Sequence, residues 1–376
     1  MTRMANSYVW IVYLFLSVAL FIHSSCASPV PPDTPVAAKR YTINLDLPPQ
    51  QRWMEVAKDY EENIIQLLQQ VKKMAPPKVV SLLSMFGDDV DRYMPHPYGL
   101  EMVGIAEALN TSIGDVVLGN TLYEVTAYSH QREKGGVKMC TSIVAETING
   151  SIYHGRNLDY SFTDLLRDVT ITVDFQQGGK TMYTGTTFAG TVGLATGQKP
   201  HAYTISLDER DQGKWWMNAF ESLIAGTHGI VFLRIRDAIA DKEMDFESAV
   251  TFLADTPLIA PTYIIIGGTK PHEGVVITRD RTAARDLWRL DAEHGRWYLV
   301  ETNYDHWQPP PADDNRRDPA IKAMNETTRA GLNATSLFKV MSTPPVLNSR
   351  TAYTVVMSAG MPEIYSSWIR HVTNEN

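Results

Sequence analysis

The sequence predicts an α+β layered fold, and three observations predict it. Between residues 52 and 123 apolar side chains recur at helical spacing. From Cys140 onward the pattern changes to the period-two runs of strands. Helical stretches then interrupt the strand series without alternating regularly with it, which fits sheets covered by helices better than a wound parallel sheet.

The elements follow in chain order. Arg3 precedes an apolar run, residues 9–22, that leads into Ser25-Cys26-Ala27, small residues suited to leader cleavage. The run is shorter than the about 20 residues a membrane span needs. Residues 1–27 are therefore read as a secretory signal peptide, and its removal leaves Cys140 as the single thiol of the mature chain. With no internal disulfide available, stability has to come from the core. Trp53, Val56, Tyr60, Ile64, Leu67, Leu68 and Val71 form an amphipathic helical stripe over residues 52–74, which Pro76-Pro77 ends. Its apolar face reads first as core and second as a surface that docks on lipid. An apolar stretch at 79–86 and helical patterns at 100–109 and 113–123 complete a helical N-terminal third, and the charged segment 131–139 reads as an exposed linker.

Cys140-Thr-Ser-Ile-Val-Ala145 reads as a strand that turns at Asn149-Gly150 into a second strand from Ser151. A two-residue loop would place Cys140 opposite Asp159 and Ile143 opposite Arg156, with Asn149 taking positive φ. A thiol, a guanidinium and a carboxylate then meet at one hairpin end, where a cation lowers a thiol pKa. Further strands are expected at 169–175, 181–187, 203–206, 263–266, 275–278, 297–301 and 351–357, and helices at 216–224, 246–253 and 319–328.

A net charge of −8 argues against a broadly basic nucleic-acid surface. The sequence has no His-Glu-X-X-His, no Walker loop and no Gly-X-Ser-X-Gly elbow, so no metal or cofactor is expected and the thiol remains the candidate nucleophile. Asn303 ends the apolar run Tyr298-Leu-Val300, a position from which an amide can point into a site, and Arg316-Arg317 precede a helix. Each has an ordinary reading beside it: a buried small cysteine, a surface ion pair between Arg156 and Asp159, a turn-forming asparagine, an exposed arginine pair, and His306 packed beside Trp307. Sequons at Asn110, Asn325 and Asn333, with Asn149 ranked below them because of its turn, fit passage through the secretory pathway.

Cys140-Thr-Ser-Ile-Val-Ala145, His154-Gly-Arg156-Asn-Leu-Asp159-Tyr160, Thr184-Gly-Thr-Thr-Phe188, Asp208-Glu209-Arg210, Thr256-Pro-Leu-Ile-Ala260, Gly274-Val-Val-Ile-Thr-Arg279, Glu301-Thr-Asn-Tyr-Asp-His-Trp307 and Met357-Ser-Ala-Gly360 resemble, in order, the N-acylethanolamine-hydrolyzing acid amidase family. Acid ceramidase is its neighbour, and bile salt and penicillin V acylases are more distant. The resemblance implies a four-layer αββα N-terminal nucleophile hydrolase, made as a precursor that cuts itself between Met139 and Cys140. The products would be a helical α-subunit, residues 28–139, and a catalytic β-subunit, residues 140–376, held as a heterodimer. Carried over residue by residue, Cys140 is the nucleophile, Arg156 and Asp159 its charge partners and Asn303 an oxyanion-hole donor. Glu209 and Arg316 support the site, and His154 and His306 lie behind it.

The implied substrate is a fatty acid ethanolamide such as palmitoylethanolamide, hydrolysed through a thioester in a lysosome, with secretion as a second destination and peripheral contact with lipid membranes. Trp215, Trp216 and residues 230–233 are candidates for the acyl groove, each with ordinary core as its alternative. Two other readings stand beside this one: a ceramidase or bile acid or penicillin acylase with the same catalytic parts, and a non-catalytic lipid-binding relative.

Overall fold

The computed structural model describes residues 34–75, 77–83, 94–127, 140–210 and 229–372. The signal peptide, the linker with Met139, the helix expected at 216–224, and Trp215 and Trp216 lie outside the described residues.

Fourteen strands are described: β1 (Val36–Ala37), β2 (Lys39–Asn44), β3 (Cys140–Glu146), β4 (Ile152–Asp159), β5 (Thr170–Gln177), β6 (Lys180–Phe188), β7 (Thr196–Lys199), β8 (Tyr203–Glu209), β9 (Thr262–Gly267), β10 (Gly274–Arg279), β11 (Ala284–Arg289), β12 (Tyr298–Glu301), β13 (Thr351–Met357) and β14 (Tyr365–Ile369). They form a six-stranded sheet, β1-β14-β13-β4-β3-β12, and an eight-stranded sheet, β11-β10-β9-β8-β7-β6-β5-β2. Only the β2–β5 pair is parallel among these neighbours.

The two sheets stack face to face. The outer face of the six-stranded sheet is covered by helices Arg317–Gly331 and Ala334–Met341, whose Met324, Leu337, Val340 and Met341 pack on Ile143, Ala145, Val300 and Val356. Helices Val231–Ala240 and Phe246–Asp255, with those of the N-terminal segment, cover the eight-stranded sheet. This is the expected αββα order. Strands buried on both faces explain the unbroken apolar runs Ile264-Ile-Ile266 in β9 and Val275-Val-Ile277 in β10.

The N-terminal segment is woven into both sheets, because β1 adds to β14 and β2 adds to β5. Neither strand was expected, although Tyr41 and Ile43 alternate with exposed residues. The stripe at 52–74 is two helices, Met54–Asp59 and Glu61–Met74, that meet at the non-helical Tyr60. Its Trp53, Val56, Ile64, Leu67, Leu68 and Val71 are buried, so this face is core and gives no lipid-docking surface. Residues 230–233 are core as well, and belong to the helix Val231–Ala240 rather than to a groove.

The β3–β4 hairpin corrects the expected register. Cys140 pairs with Leu158, Ser142 with Arg156 and Glu146 with Ile152. Thr147 accepts from the Gly150 N–H at 3.0 Å, which closes a turn over Ile148 and Asn149. Gly150 alone in the turn takes positive φ, at 80°. The loop is thus three residues with glycine in the left-handed position. Asn149 is relieved of that duty, and every pairing shifts by one.

Candidate active site

β3 runs between β4 and β12, and alternate side chains face the second sheet. On that face lie Cys140 and Ser142 of β3, Arg156 and Leu158 of β4, and Glu301 of β12, which pairs with Ser142. Asp159 falls on the other face by the same alternation. Its carboxylate accepts from Asn348 Nδ2 at 2.8 Å, and only its backbone N–H favours the thiolate of Cys140. Arg156 therefore meets the thiol as expected, while the Asp159 carboxylate, held by Asn348, acts on Cys140 and Arg156 through its charge rather than by direct contact.

Cys140 is gripped at three atoms. Its N–H donates to Asn303 Oδ1, its carbonyl accepts from Arg316 Nη1, and its Sγ lies 3.7 Å from Arg156 Nη2. Asn303 takes φ of 74°, a left-handed conformation that asparagine tolerates better than most residues. Its Nδ2 donates to the Glu209 carbonyl at 2.8 Å, so this amide holds the Cys140 peptide in place. Arg316 also reaches Thr141 Oγ1 at 3.1 Å, Thr302 O at 3.0 Å and Asn303 Oδ1 at 3.1 Å, and Asp314 fixes its fork at 2.6 and 2.8 Å. Glu209 itself is buried beside this group.

Arg156 is clamped by Thr196 Oγ1 at 2.8 Å, Tyr353 OH at 2.5 Å and the Leu207 carbonyl, with Asp208 Oδ1 at 3.7 Å from Nε. Ser142 Oγ donates to Asp208 Oδ1 at 2.8 Å and meets Ser206 Oγ at 2.8 Å; Ser206 in turn meets His154 Nε2 at 2.9 Å. His154 is thereby fixed between the sheets. His306 instead stacks on Trp288 at 4.3 Å and packs edge-on to Trp307, its ordinary reading. Ser142, Asp208, Tyr353 and Asp314 were missed. Ser142 was findable, as a hydroxyl two residues along the same face from the thiol.

Burial pushes the Cys140 thiol up to about 12, against the pull of Arg156 and with Asp208 adding to the rise. Burial likewise raises Asp208 and Asp159 to about 6 each, although Arg156 holds the first back and Arg316 the second. Cys140 is therefore a thiol beside a cation. The described cavity of about 350 Å³ lies at the β12 edge, lined by Trp288, Tyr298, Val300, His306, Arg317 and Ile321, and does not include Cys140. All four sequon asparagines are exposed, and Asn333 caps the helix Ala334–Met341.

Two family models match the chain. The model of linear amide C–N hydrolases of the choloylglycine hydrolase family spans residues 140–359, and one described as the beta subunit of N-acylethanolamine-hydrolyzing acid amidase spans residues 36–94. The mouse N-acylethanolamine-hydrolyzing acid amidase is 44% identical over 95% of this chain and 96% of its own. Bovine acid ceramidase is 35% identical over 84% of this chain and 82% of its own. A solved Caenorhabditis elegans ortholog of the acid amidase superposes with a TM-score of 0.56 at 40% identity, covering 61% of this chain and 99% of that one.

Proposed function

This chain belongs to the choloylglycine hydrolase family of linear amide C–N hydrolases, and from that membership and the grip on Cys140 we propose a self-activating cysteine amidase that hydrolyses fatty acid ethanolamides. It is an amide hydrolase of the acid amidase type. The observation that carries the finer reading is the three-point hold on Cys140, whose N–H, carbonyl and thiol meet Asn303, Arg316 and Arg156.

Self-cleavage proceeds by attack of Cys140 Sγ on the carbonyl carbon of residue 139. The C–N bond of that peptide breaks, the nitrogen gains the thiol proton, and water hydrolyses the resulting thioester. The segments 28–139 and 140–376 are the products. The family match that begins at residue 140, and the solved worm chain whose 61% coverage is near the share from Cys140 to Asn376, support this boundary.

Cutting changes the electrostatics. A neutral peptide nitrogen becomes an amine with an ordinary pKa near 8, which is protonated in acid. That ammonium and Arg156 together favour the thiolate that burial otherwise disfavours. The thiolate then adds to the substrate amide carbon, and Asn303 Nδ2, freed from Glu209, donates to the oxyanion. The amine leaves with a proton from the Cys140 ammonium, and water releases the fatty acid from the thioester. Residues 1–27 direct the chain into the secretory pathway, with the lysosome as destination, and glycans are carried at Asn110, Asn325 and Asn333.

The test is N-terminal sequencing of the chain after incubation at acidic and neutral pH, with Cys140→Ala alongside. Each product is then assayed on palmitoylethanolamide and on ceramide. A new N-terminus at Cys140 with turnover of the ethanolamide is expected. Turnover by Cys140→Ala, or a preference for ceramide, would overturn the reading.

A further inference from the structure

The guanidinium that faces the thiol also faces a carboxylate. Arg156 Nη2 lies 3.7 Å from Cys140 Sγ and Arg156 Nε lies 3.7 Å from Asp208 Oδ1. Asp208 is fully buried, and its Oδ2 has no hydrogen-bond partner. Ser142 stands at the centre of this group. Its strand neighbours on one face are Arg156 and Glu301, and Asp208 and Ser206 meet its hydroxyl from the other sheet. One buried cation therefore faces both the thiol and a carboxyl group.

We propose that Asp208 is a positioning residue that competes with Cys140 for Arg156: ionised, it draws the guanidinium's charge away from the thiol, and protonated, it yields that charge to the thiolate. The proposal rests on Cys140 being the nucleophile. Geometry gives its direction, because a carboxylate beside the shared cation opposes a second anion and a neutral carboxyl does not.

The other groups near Asp208 leave this intact. His154 is held low by burial and by Arg156, so it adds no charge in mild acid. Tyr353 and Tyr263 are held up by burial and stay neutral. Arg210 is occupied by Asp280 and Asp305, and Arg316 by Asp314. Asp159, also raised to about 6, opposes the thiolate as well, so its titration adds to the step in pH and the Asp208→Asn variant is what isolates the Asp208 share. Glu301 is held up to about 8 by burial and by Asp208, and so remains an acid across the range in which Asp208, raised to about 6, titrates. The Asp208 step therefore falls where an acidic compartment differs from neutral surroundings.

The experiment reads the thiol directly. Thiolate ultraviolet absorbance is titrated in the uncut chain, the Asp208→Asn variant and the Ser142→Ala variant, each in difference against the same chain carrying Cys140→Ala. Asp208→Asn, which imitates the protonated carboxyl, should lower the thiol's apparent pKa by about one unit, a tenfold gain in thiolate at a given pH. Ser142→Ala removes a donor to the carboxylate, lets Asp208 protonate at higher pH, and moves the neutral-side limb of matured activity upward. If Asp208→Asn fails to fold, the activity limb of Ser142→Ala tests the same direction. An unchanged or raised thiol pKa in Asp208→Asn, or an unmoved limb in Ser142→Ala, would overturn the proposal. Turnover retained by Cys140→Ala would instead overturn the cysteine amidase reading, leaving the thiol titration to stand by itself.

Discussion

Glu101→Gln should loosen the two segments on either side of Cys140 more than any surface change could. Glu101 is 0% exposed, and its two oxygens receive four donors: Arg236 Nη1 and Nη2, Arg52 Nη1 at 2.9 Å and Trp53 Nε1 at 2.9 Å. Arg236, 1% exposed, comes from the segment after Cys140, whereas Glu101, Arg52 and Trp53 come from the segment before it. Glutamine keeps the shape, loses the charge and turns an N–H pair toward donors. Arg236 is left buried without its counter-charge, a loss of about 3 to 5 kcal/mol. At 1.4 kcal/mol per factor of ten, that is roughly two to three and a half orders of magnitude in the hold between the segments. Urea unfolding of the uncut Cys140→Ala chain, with and without Glu101→Gln, measures it. Gel filtration of the matured protein at pH 5 should show the segments separating in the variant. A change below about 1 kcal/mol, within the range of ordinary substitutions, would refute the account. Replacing both partners by apolar residues of similar volume should recover most of the loss, since it strands no charge.

Three further outcomes are expected. Asn303→Ala should lower turnover by about two to three orders of magnitude and let uncut chain accumulate; turnover near that of the parent protein would remove Asn303 from the mechanism. Glu301→Gln should flatten the pH dependence of stability: the native carboxyl, raised to about 8, keeps a proton that the unfolded one loses near 4.3, so this group's contribution falls as pH rises between those values. Melting temperatures of the Cys140→Ala chain at pH 5 and pH 8 check it, and an equal slope in both chains would count against the assignment. Gly104→Ala places a methyl 1.8 Å from the Gln50 backbone oxygen, so despite better helix propensity it should cost about 2 kcal/mol or more. An unshifted urea midpoint would contradict that close approach.

How far the sequence could be read depended on whether a feature was local. The β3–β4 hairpin was legible because alternation and an Asn-Gly turn are written in consecutive residues. Its register was not, because Asn-Gly serves a two-residue loop or the last positions of a three-residue one, and Gly150 at φ of 80° selects the second. Arg156 survived that shift as a neighbour of the thiol, whereas the Asp159 carboxylate passed to the opposite face. Asp208 approaches Cys140 only because β8 stacks on β3, and no spacing within either strand announces which residues of two sheets will meet. The helix Val231–Ala240 was hidden by its charged residues, and one of these, Arg236, is buried. A buried arginine reads as surface until its carboxylate partner, 135 positions away, is known.

The contrast between Glu101 and Asp208 shows how one medium can act oppositely on two buried carboxyl groups. Burial penalises the charge of both, and the number of donors decides the outcome. Glu101 receives Arg236, Arg52 and Trp53, and these outweigh burial to hold its carboxyl below the usual range. Stability from such a group is present above the unfolded pKa and is lost only as pH falls through the lower folded one. Asp208 has one short donor, Ser142, and a shared guanidinium farther off, so burial prevails and its carboxyl rises to about 6. A move from neutral to mildly acidic surroundings therefore protonates Asp208 beside the thiol while the Glu101–Arg236 tie stays ionised. With β1 and β2 also paired into the two sheets, acid alters the charge at Cys140 without loosening the frame that holds it.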